Sequence, residues 1–419
     1  MHVSAKRRRG LLVPAGLAAA LVITSAGLTG TASAGAGVRA GAAAKAHRSA
    51  DPLQQEVNAI HGTGVVGVLT EVGSPGGRMS ARAGTAKLGT GRQVPWAGRF
   101  RIGSITKTFT ATVVLQLVGE GRMSLADTVE HWLPGVVQGN GHDGSRITVR
   151  QLLQHTSGIP DVLGDIPALN TAAGYQAEHL RTYTPQELVA LAMRHPATAP
   201  AGTWSYSNTN YILAGMIIKA VTGRSWTQEV NARIIGPLGL TATTTPGTVP
   251  SVPGPHAHGY RTFGTVTTVD VTQFNPSAVD ASGSIISTAH DLSRFYTALL
   301  SGRLLAPAQL DAMKTTVPAP ELDGGYGLGL GELPLSCGGS YFAHAGGVSG
   351  YQTWVGVTPD ATHTAVVLVT GDEDEYTQQA IGRLVDRELC RRKVALADAR
   401  GPGRQLSGGG GGYDSATTM

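Results

Sequence analysis

A serine hydroxyl is too weakly acidic to attack an acyl carbon unaided, so a serine nucleophile needs a base beside it. Ser104-Ile105-Thr106-Lys107 supplies such a pair: of the seven lysines in the chain, only Lys107 has a serine three residues before it. On a helix that spacing sets ammonium beside hydroxyl, and a lysine desolvated at a helix start can lose its proton and act as the acceptor. The bland alternative is an N-cap serine followed by a solvated lysine. Tyr206-Ser207-Asn208 is the sole Tyr-x-Asn among eleven tyrosines. Its phenol can relay a proton to a leaving group, and its amide can orient an acyl chain together with Lys107. A polar turn would read the same way. His344-Ala345-Gly346, followed by Gly347, offers an imidazole to support the tyrosine and small residues that let substrate lie along a strand edge. His142-Asp143-Gly144 repeats the His-x-Gly pattern, but in a hydrophilic loop ahead of the tyrosine, and reads as background. No Gly-x-Ser-x-Gly elbow occurs, which sets a Ser/Lys/Tyr centre above a Ser/His/Asp triad.

The elements that must hold these residues follow from patterning. Asp51 caps a short helix reaching Ile60, and Val65–Leu69 reads as a buried strand, with a second strand over Met79–Leu88. From Ser104 the pattern turns helical, with Ile105, Phe109, Val113, Leu117 and Val118 on one face and Gly119 and Gly121 at its end. Helical runs at Pro185–Arg194, Tyr211–Val221 and Ala289–Leu300 alternate with long Pro/Gly/Thr loops. Strands return from Tyr341, at Gln352–Val357 and Thr362–Thr370, before a closing helix from Glu373 to about Ala395. Strands at both ends of a helix-rich middle predict an α+β fold: an antiparallel sheet built from both termini, flanked by helices, with a mostly helical insert and a catalytic cleft between the two parts. The expected division is 1–34 leader, 35–50 flexible spacer, 51–398 catalytic domain (51–110 and 325–398 forming the α/β part, 111–324 the helical part) and 399–419 low-complexity tail.

At 419 residues, 41% hydrophobic and 15% charged, the chain has apolar material for a large core, which excludes a disordered chain or a disulfide-stapled miniature scaffold. Its net charge of +5 first invites a nucleic-acid or membrane-surface reading. The excess sits in Lys6, Arg7, Arg8 and Arg9; without them 29 basic residues face 28 acidic ones, and that reading falls. Those cations, an apolar run from Leu11 to Leu28 and Ala32-Ser33-Ala34 make a secretory leader cleaved near Ala34, with an uncleaved anchor as the rival. Arg8-Arg9 also resembles a twin-arginine signal. The expectation is a secreted, extracellular monomer with no stable membrane anchor after cleavage. In an oxidising compartment the two cysteines, Cys337 and Cys390, read as one disulfide or as two buried thiols. No Cys/His spacing suits zinc, and His256-Ala257-His258 reads as a loop; neither metal nor cofactor is expected.

Taken together, Phe100-Arg-Ile-Gly-Ser104-Ile-Thr-Lys107, Leu152-Leu-Gln-His155-Thr-Ser-Gly158, Ser205-Tyr-Ser-Asn-Thr-Asn210 and His344-Ala-Gly346 resemble the penicillin-recognising serine hydrolases. Within that superfamily the chain is similar to the secreted actinomycete D-alanyl-D-alanine carboxypeptidases, with class C beta-lactamases and related esterases as cousins, from about residue 52 to about 395. The resemblance implies Ser104 as acylated nucleophile, Lys107 as proton acceptor or electrostatic partner, Tyr206 as proton shuttle supported by His344, and Asn208 and Gly346 as substrate contacts, and it leaves open which of Lys107 and Tyr206 is the base. It implies an oxyanion hole from the N–H groups of Ser104 and Gly347, and a Cys337–Cys390 bridge. Peptidoglycan stem peptides or other small acyl substrates are the implied partners, with beta-lactams as acylating ligands.

One region departs from the family. The similar carboxypeptidases hold the substrate's carboxylate with an arginine after the Tyr-Gly-Leu-Gly-Leu run and threonines one and three places after the motif histidine. Here those places hold Gly331, Ala345 and Gly347, and no Lys or Arg lies between Lys314 and Arg383. A bulky aromatic of the family is also missing, with Ala278 and Val279 nearest its place. Losing a charge-assisted contact costs about 2–3 kcal/mol, roughly a hundredfold in affinity. Either another arginine, such as Arg181 or Arg261, supplies the clamp, or the substrate lacks a carboxylate. Carboxypeptidase action on D-Ala-D-Ala stems is the leading expectation; esters, beta-lactams or D-amino-acid amides cleaved by the same centre come next, and a non-catalytic wall- or antibiotic-binding protein last.

Overall fold

A computed structural model describes residues 51–264, 267–372 and 374–399. The leader, the spacer and nearly all of the tail lie outside the described residues. Eight strands form one antiparallel sheet: β1 (Gly67–Ser74), β2 (Gly77–Gly84), β3 (Val317–Ala319), β4 (Gly324–Tyr326), β5 (Gly331–Pro334), β6 (Ser340–Val348), β7 (Tyr351–Val357) and β8 (Thr364–Thr370). Their spatial order is β2-β1-β8-β7-β6-β5-β4-β3, so the first hairpin joins the strands from the far end of the chain by pairing β1 with β8.

Every residue of β8 is buried. Its near-continuous apolar run suits a central strand covered on both faces. Ala365, Val367 and Val369 meet α1 (Pro52–His61) and α5 (Glu375–Ala399) on one side. Val366 and Leu368 meet the other helices. Asp51 caps α1 by accepting from the Leu53 N–H (3.1 Å), with Pro52 pre-set for the first turn. Leu53, Val57 and Ile60, at helical spacing, are the residues it buries. On the opposite face lie α2 (Thr106–Gly119), α3 (Asn208–Thr222) and α4 (Ala289–Leu300). Nearly all of α2 is buried, which makes it the central helix rather than a surface one. Phe109 of α2 stacks on Phe295 of α4 with centroids 3.7 Å apart.

The architecture expected from sequence is present, with shifted edges. The second strand runs over Gly77–Gly84 and the tyrosine-led helix begins at Asn208. Re-entry into the sheet begins at Val317, before the expected boundary at 325, because β3 is an edge strand that tolerates Pro318. The Cys337–Cys390 disulfide ties the turn between β5 and β6 to α5, with Ser336 donating to Asp386 alongside. Strand β5 pairs only with Ser340–Ala343 of β6, so the stretch from His344 to Val348 is laddered on its β7 side alone among the described pairings. No described helix is long and apolar enough to cross a membrane.

Candidate active site

Ser104 sits in a single 3-10 turn, Gly103–Ile105, that leads into α2. Gly103 has φ +50, and a Cβ there would lie 2.7 Å from the Gly347 nitrogen. A Cβ on Gly346 would lie 2.1 Å from the Ile102 oxygen and 2.9 Å from the Ser104 nitrogen. Both glycines are therefore required by the same contact: β6 presses its backbone onto the serine turn, gathering the N–H groups of Ser104 and Gly347 into one small volume. Such paired N–H groups are what an oxyanion hole is built from.

Lys107, the second residue of α2, is fully buried. Its Nζ donates to Ser104 Oγ (2.9 Å), Asn208 Oδ1 (2.6 Å) and the Ser282 carbonyl (2.9 Å). Burial pushes this lysine down to about 7, against the opposing pull of Asp161. Asn208, the first residue of α3, passes its other end to Asp161, donating from Nδ2 to Oδ2 (2.8 Å). Tyr206 stands beside Ser104, and the Lys107 Nζ is 4.8 Å from its ring centroid. Burial pushes its phenol well above the usual range, with Ser104 acting the other way. Ser104, Lys107, Tyr206 and Asn208 are thus brought together.

His344 makes two hydrogen bonds. Its Nδ1 faces the Ala345 carbonyl (2.6 Å), which only accepts, so Nδ1 carries the proton and Nε2 accepts from the Tyr326 hydroxyl (2.9 Å). Tyr326 reaches this imidazole from β4, across β5, and both residues line the same pocket as Tyr206. Burial first, then the Lys107 charge, pushes the imidazole down to about 3.

The residue packed against Tyr206 is His155, whose ring lies 4.2 Å from it, centroid to centroid, at a tilt of 31°. His155 ends the Val149–Gln154 helix in a left-handed conformation. Its Nδ1 accepts from the Ser207 N–H (3.2 Å) and the Asn210 amide (3.3 Å), so it fixes the loop carrying Tyr206. Asp161, His155, Tyr326 and Ser282 were not singled out by sequence; the sole signal was the presence of His155 and Tyr326 within the family-like runs. His142 bonds the His195 carbonyl and takes no part.

A cavity of about 610 Å³ opens beside Tyr206, Tyr326 and His344 and runs past Gly331, Ala345 and Gly347. Among the described residues none of its lining side chains is Lys or Arg, whereas Glu321 and Asp323 stand at its exposed rim. Of the two candidate clamps, Arg181 is paired with Glu178 (3.3 Å) and lies over Tyr183, while Arg261 lines a neighbouring cavity. Among the described residues no group of His, Cys, Asp or Glu is arranged to hold a metal ion.

A buried lysine on a serine, with a phenol beside it and a strand backbone pressed onto the serine turn, is an arrangement suited to acyl transfer. The beta-lactamase family profile matches residues 51–387, and the chain belongs to that family of penicillin-recognising serine hydrolases. Among curated relatives it is 27% identical to "Penicillin-binding protein 4*" of Bacillus subtilis, over 73% of this chain and 68% of that protein. It is 34% identical to "Penicillin-binding protein 4" of Amycolatopsis lactamdurans, over 38% and 39%. Among solved structures it is similar to a D-stereospecific amidohydrolase from Streptomyces sp. (43% identical, TM-score 0.75, covering 81% of this chain and 98% of that one). The D-amino acid amidase from Ochrobactrum anthropi is also similar (28%, TM-score 0.71, 83% and 98%).

Proposed function

We propose that this serine hydrolase cleaves amides and esters of D-amino acids through an acyl-enzyme on Ser104. One observation carries the reading: the cavity that runs past Gly331 and Ala345 holds no cation for a leaving group's carboxylate. Glu321 and Asp323 add a weak, solvent-screened repulsion there. A neutral leaving group, ammonia or an alcohol, needs no clamp. The similar structures of a D-stereospecific amidohydrolase and a D-amino acid amidase support the same choice.

In this mechanism Ser104 Oγ bonds to the acyl carbon while its proton passes to neutral Lys107. With Lys107 near 7 and the Tyr206 phenol held protonated, the lysine is the group able to accept at neutral pH. The oxyanion forms against the Ser104 and Gly347 N–H groups. Tyr206 gives its proton to the departing nitrogen or oxygen as the acyl–leaving-group bond breaks, and Lys107 returns a proton to Tyr206. Water then repeats the sequence on the ester, releasing the acid and restoring Ser104. Asn208 orients the acyl chain, itself held by Asp161, which accepts from its Nδ2. Export through the leader, cleaved near Ala34, belongs to the same proposal and rests on the charge and small-residue pattern of residues 1–34.

The deciding experiment compares ammonia release from D-phenylalanine amide with D-alanine release from a diacylated Lys-D-Ala-D-Ala peptide. Amide turnover that is lost in Ser104→Ala is expected. Ample D-alanine release without amide turnover would restore the carboxypeptidase reading in its place.

A further inference from the structure

A second cavity, of about 310 Å³, opens on the other side of Gly347. Gly347 and Gln352 belong to the walls of both cavities, so the two meet at the proposed oxyanion N–H. The first lies toward Gly331 and Ala345, where the leaving group departs. The second lies along Val348, Ser349 and Gly350, beyond the scissile position, and so faces the acyl part of a bound substrate.

Its chemistry is that of a donor set. Arg261, on the strand Tyr260–Phe263, lines it, with the guanidinium carbon 5.2 Å from the Phe263 ring centroid and no ion pair among the described residues. Ser349 lines it too; this residue is 5% exposed, and its hydroxyl finds no partner among the described residues. A buried hydroxyl without a partner is costly unless a ligand completes it. The acid in the wall, Asp372, already accepts from the Thr262 N–H. Val279 borders the cavity near the place where the similar carboxypeptidases keep a bulky aromatic, which leaves the space open.

We infer that the Arg261–Ser349 cavity is a subsite for a carboxylate carried on the acyl part of the substrate. This rests on Ser104 being the acylated residue, and it names the substrate class: D-aminoacyl or N-acyl groups with an anionic side chain. A guanidinium in the wall, with a hydroxyl in the same wall, offers a carboxylate a charge-assisted contact that a neutral isostere lacks.

Two penicillins that differ only by a carboxylate on the acyl side chain, α-carboxybenzylpenicillin and benzylpenicillin, read this without any need for amide turnover. The expected ratio of their acylation rates on Ser104 is about tenfold in favour of the anionic one, a modest value for a partly exposed guanidinium. The ratio falls to about one in Arg261→Met, drops partway in Ser349→Ala, and rises in Asp372→Asn. A wild-type ratio of one, or a ratio that survives Arg261→Met, overturns the subsite. D-glutamate and D-glutamine α-amides form the matching turnover pair. If neither they nor D-phenylalanine amide is cleaved, the amidase reading has failed, while the penicillin ratio still decides the subsite.

Discussion

Gln352 fills the space that a side chain on Gly347 would need. A Cβ on Gly347 would lie 2.6 Å from Gln352 Oε1, and the two residues face each other across β6 and β7. Where the similar carboxypeptidases place a threonine, this chain brings in a carboxamide from the neighbouring strand. Gly347→Thr is therefore expected to slow penicillin acylation about tenfold by overpacking, and adding Gln352→Ala to recover most of it. A double-mutant cycle on acylation rates measures the coupling; additive effects would show that the two positions do not compete for space.

The Lys107 environment predicts a pH profile. With its pKa lowered to about 7 by burial, the neutral, proton-accepting form grows about tenfold per pH unit below 7 and saturates above it. Acylation should rise from pH 5 to 7 and level off by pH 8. Asp161 holds this lysine up, so Asp161→Asn should move the rising limb to lower pH. Lys107→Arg, permanently charged, should lose about a thousandfold in rate. Stopped-flow acylation across pH checks all three, and an unmoved limb in Asp161→Asn would exclude Lys107 as its source.

Tyr206→Phe removes the hydroxyl that meets Ser104 and leaves the ring on His155 in place. The expectation is a loss of about 10²–10³ in kcat for amides with little change in KM. An activated ester, whose leaving group departs without a proton, should suffer much less. Equal losses on amide and activated ester would remove the phenol from leaving-group protonation.

His344 makes stability depend on acid. Its pKa is lowered from 6.5 to about 3 by burial and by the Lys107 charge. Between those values the unfolded chain binds a proton that the native chain refuses. Stability is thus fully present above about 6.5 and falls as pH drops toward 3. His344→Gln, which does not titrate, should show a slope shallower by about one proton across that window. Urea unfolding at a series of pH values measures it.

The Cys337–Cys390 bridge closes a loop with a sequence separation of 53, for which chain entropy gives about 4 kcal/mol of stabilisation. It fastens α5 from outside and touches none of the reacting groups. Replacing both cysteines by serine should lower the melting temperature by several degrees while kcat at 20 °C stays within about twofold.

Short-range features were legible in the sequence, and long-range ones were not. Ser104 and Lys107 announce themselves because one helical turn joins them. Tyr206 and Asn208 are separated by one residue, where a loop enters α3. The sheet's two-ended origin showed as apolar runs at both termini, most plainly in β8. Asp161, Tyr326 and Gln352 gave no such signal, since they enter the site through loop folding or strand register, which a linear pattern does not carry. The hydrogen-bond partner of His344 was hidden for that reason: Tyr326 reaches it from β4, across β5. Strand β3 was hidden by Pro318, which reads as loop until its edge position is known.

The interlock of Gly103 with Gly346 and Gly347 also fixes when the protein becomes reactive. Ser104 and Lys107 emerge from the ribosome more than 200 residues ahead of β6. The strand that seats their turn and lends the second N–H arrives only near residue 347, and β1 has no inner neighbour until β8 is complete at Thr370. A growing chain therefore carries an inert serine until that strand and β8 have been made. Chemical competence arrives late and all at once, as a property of the finished topology.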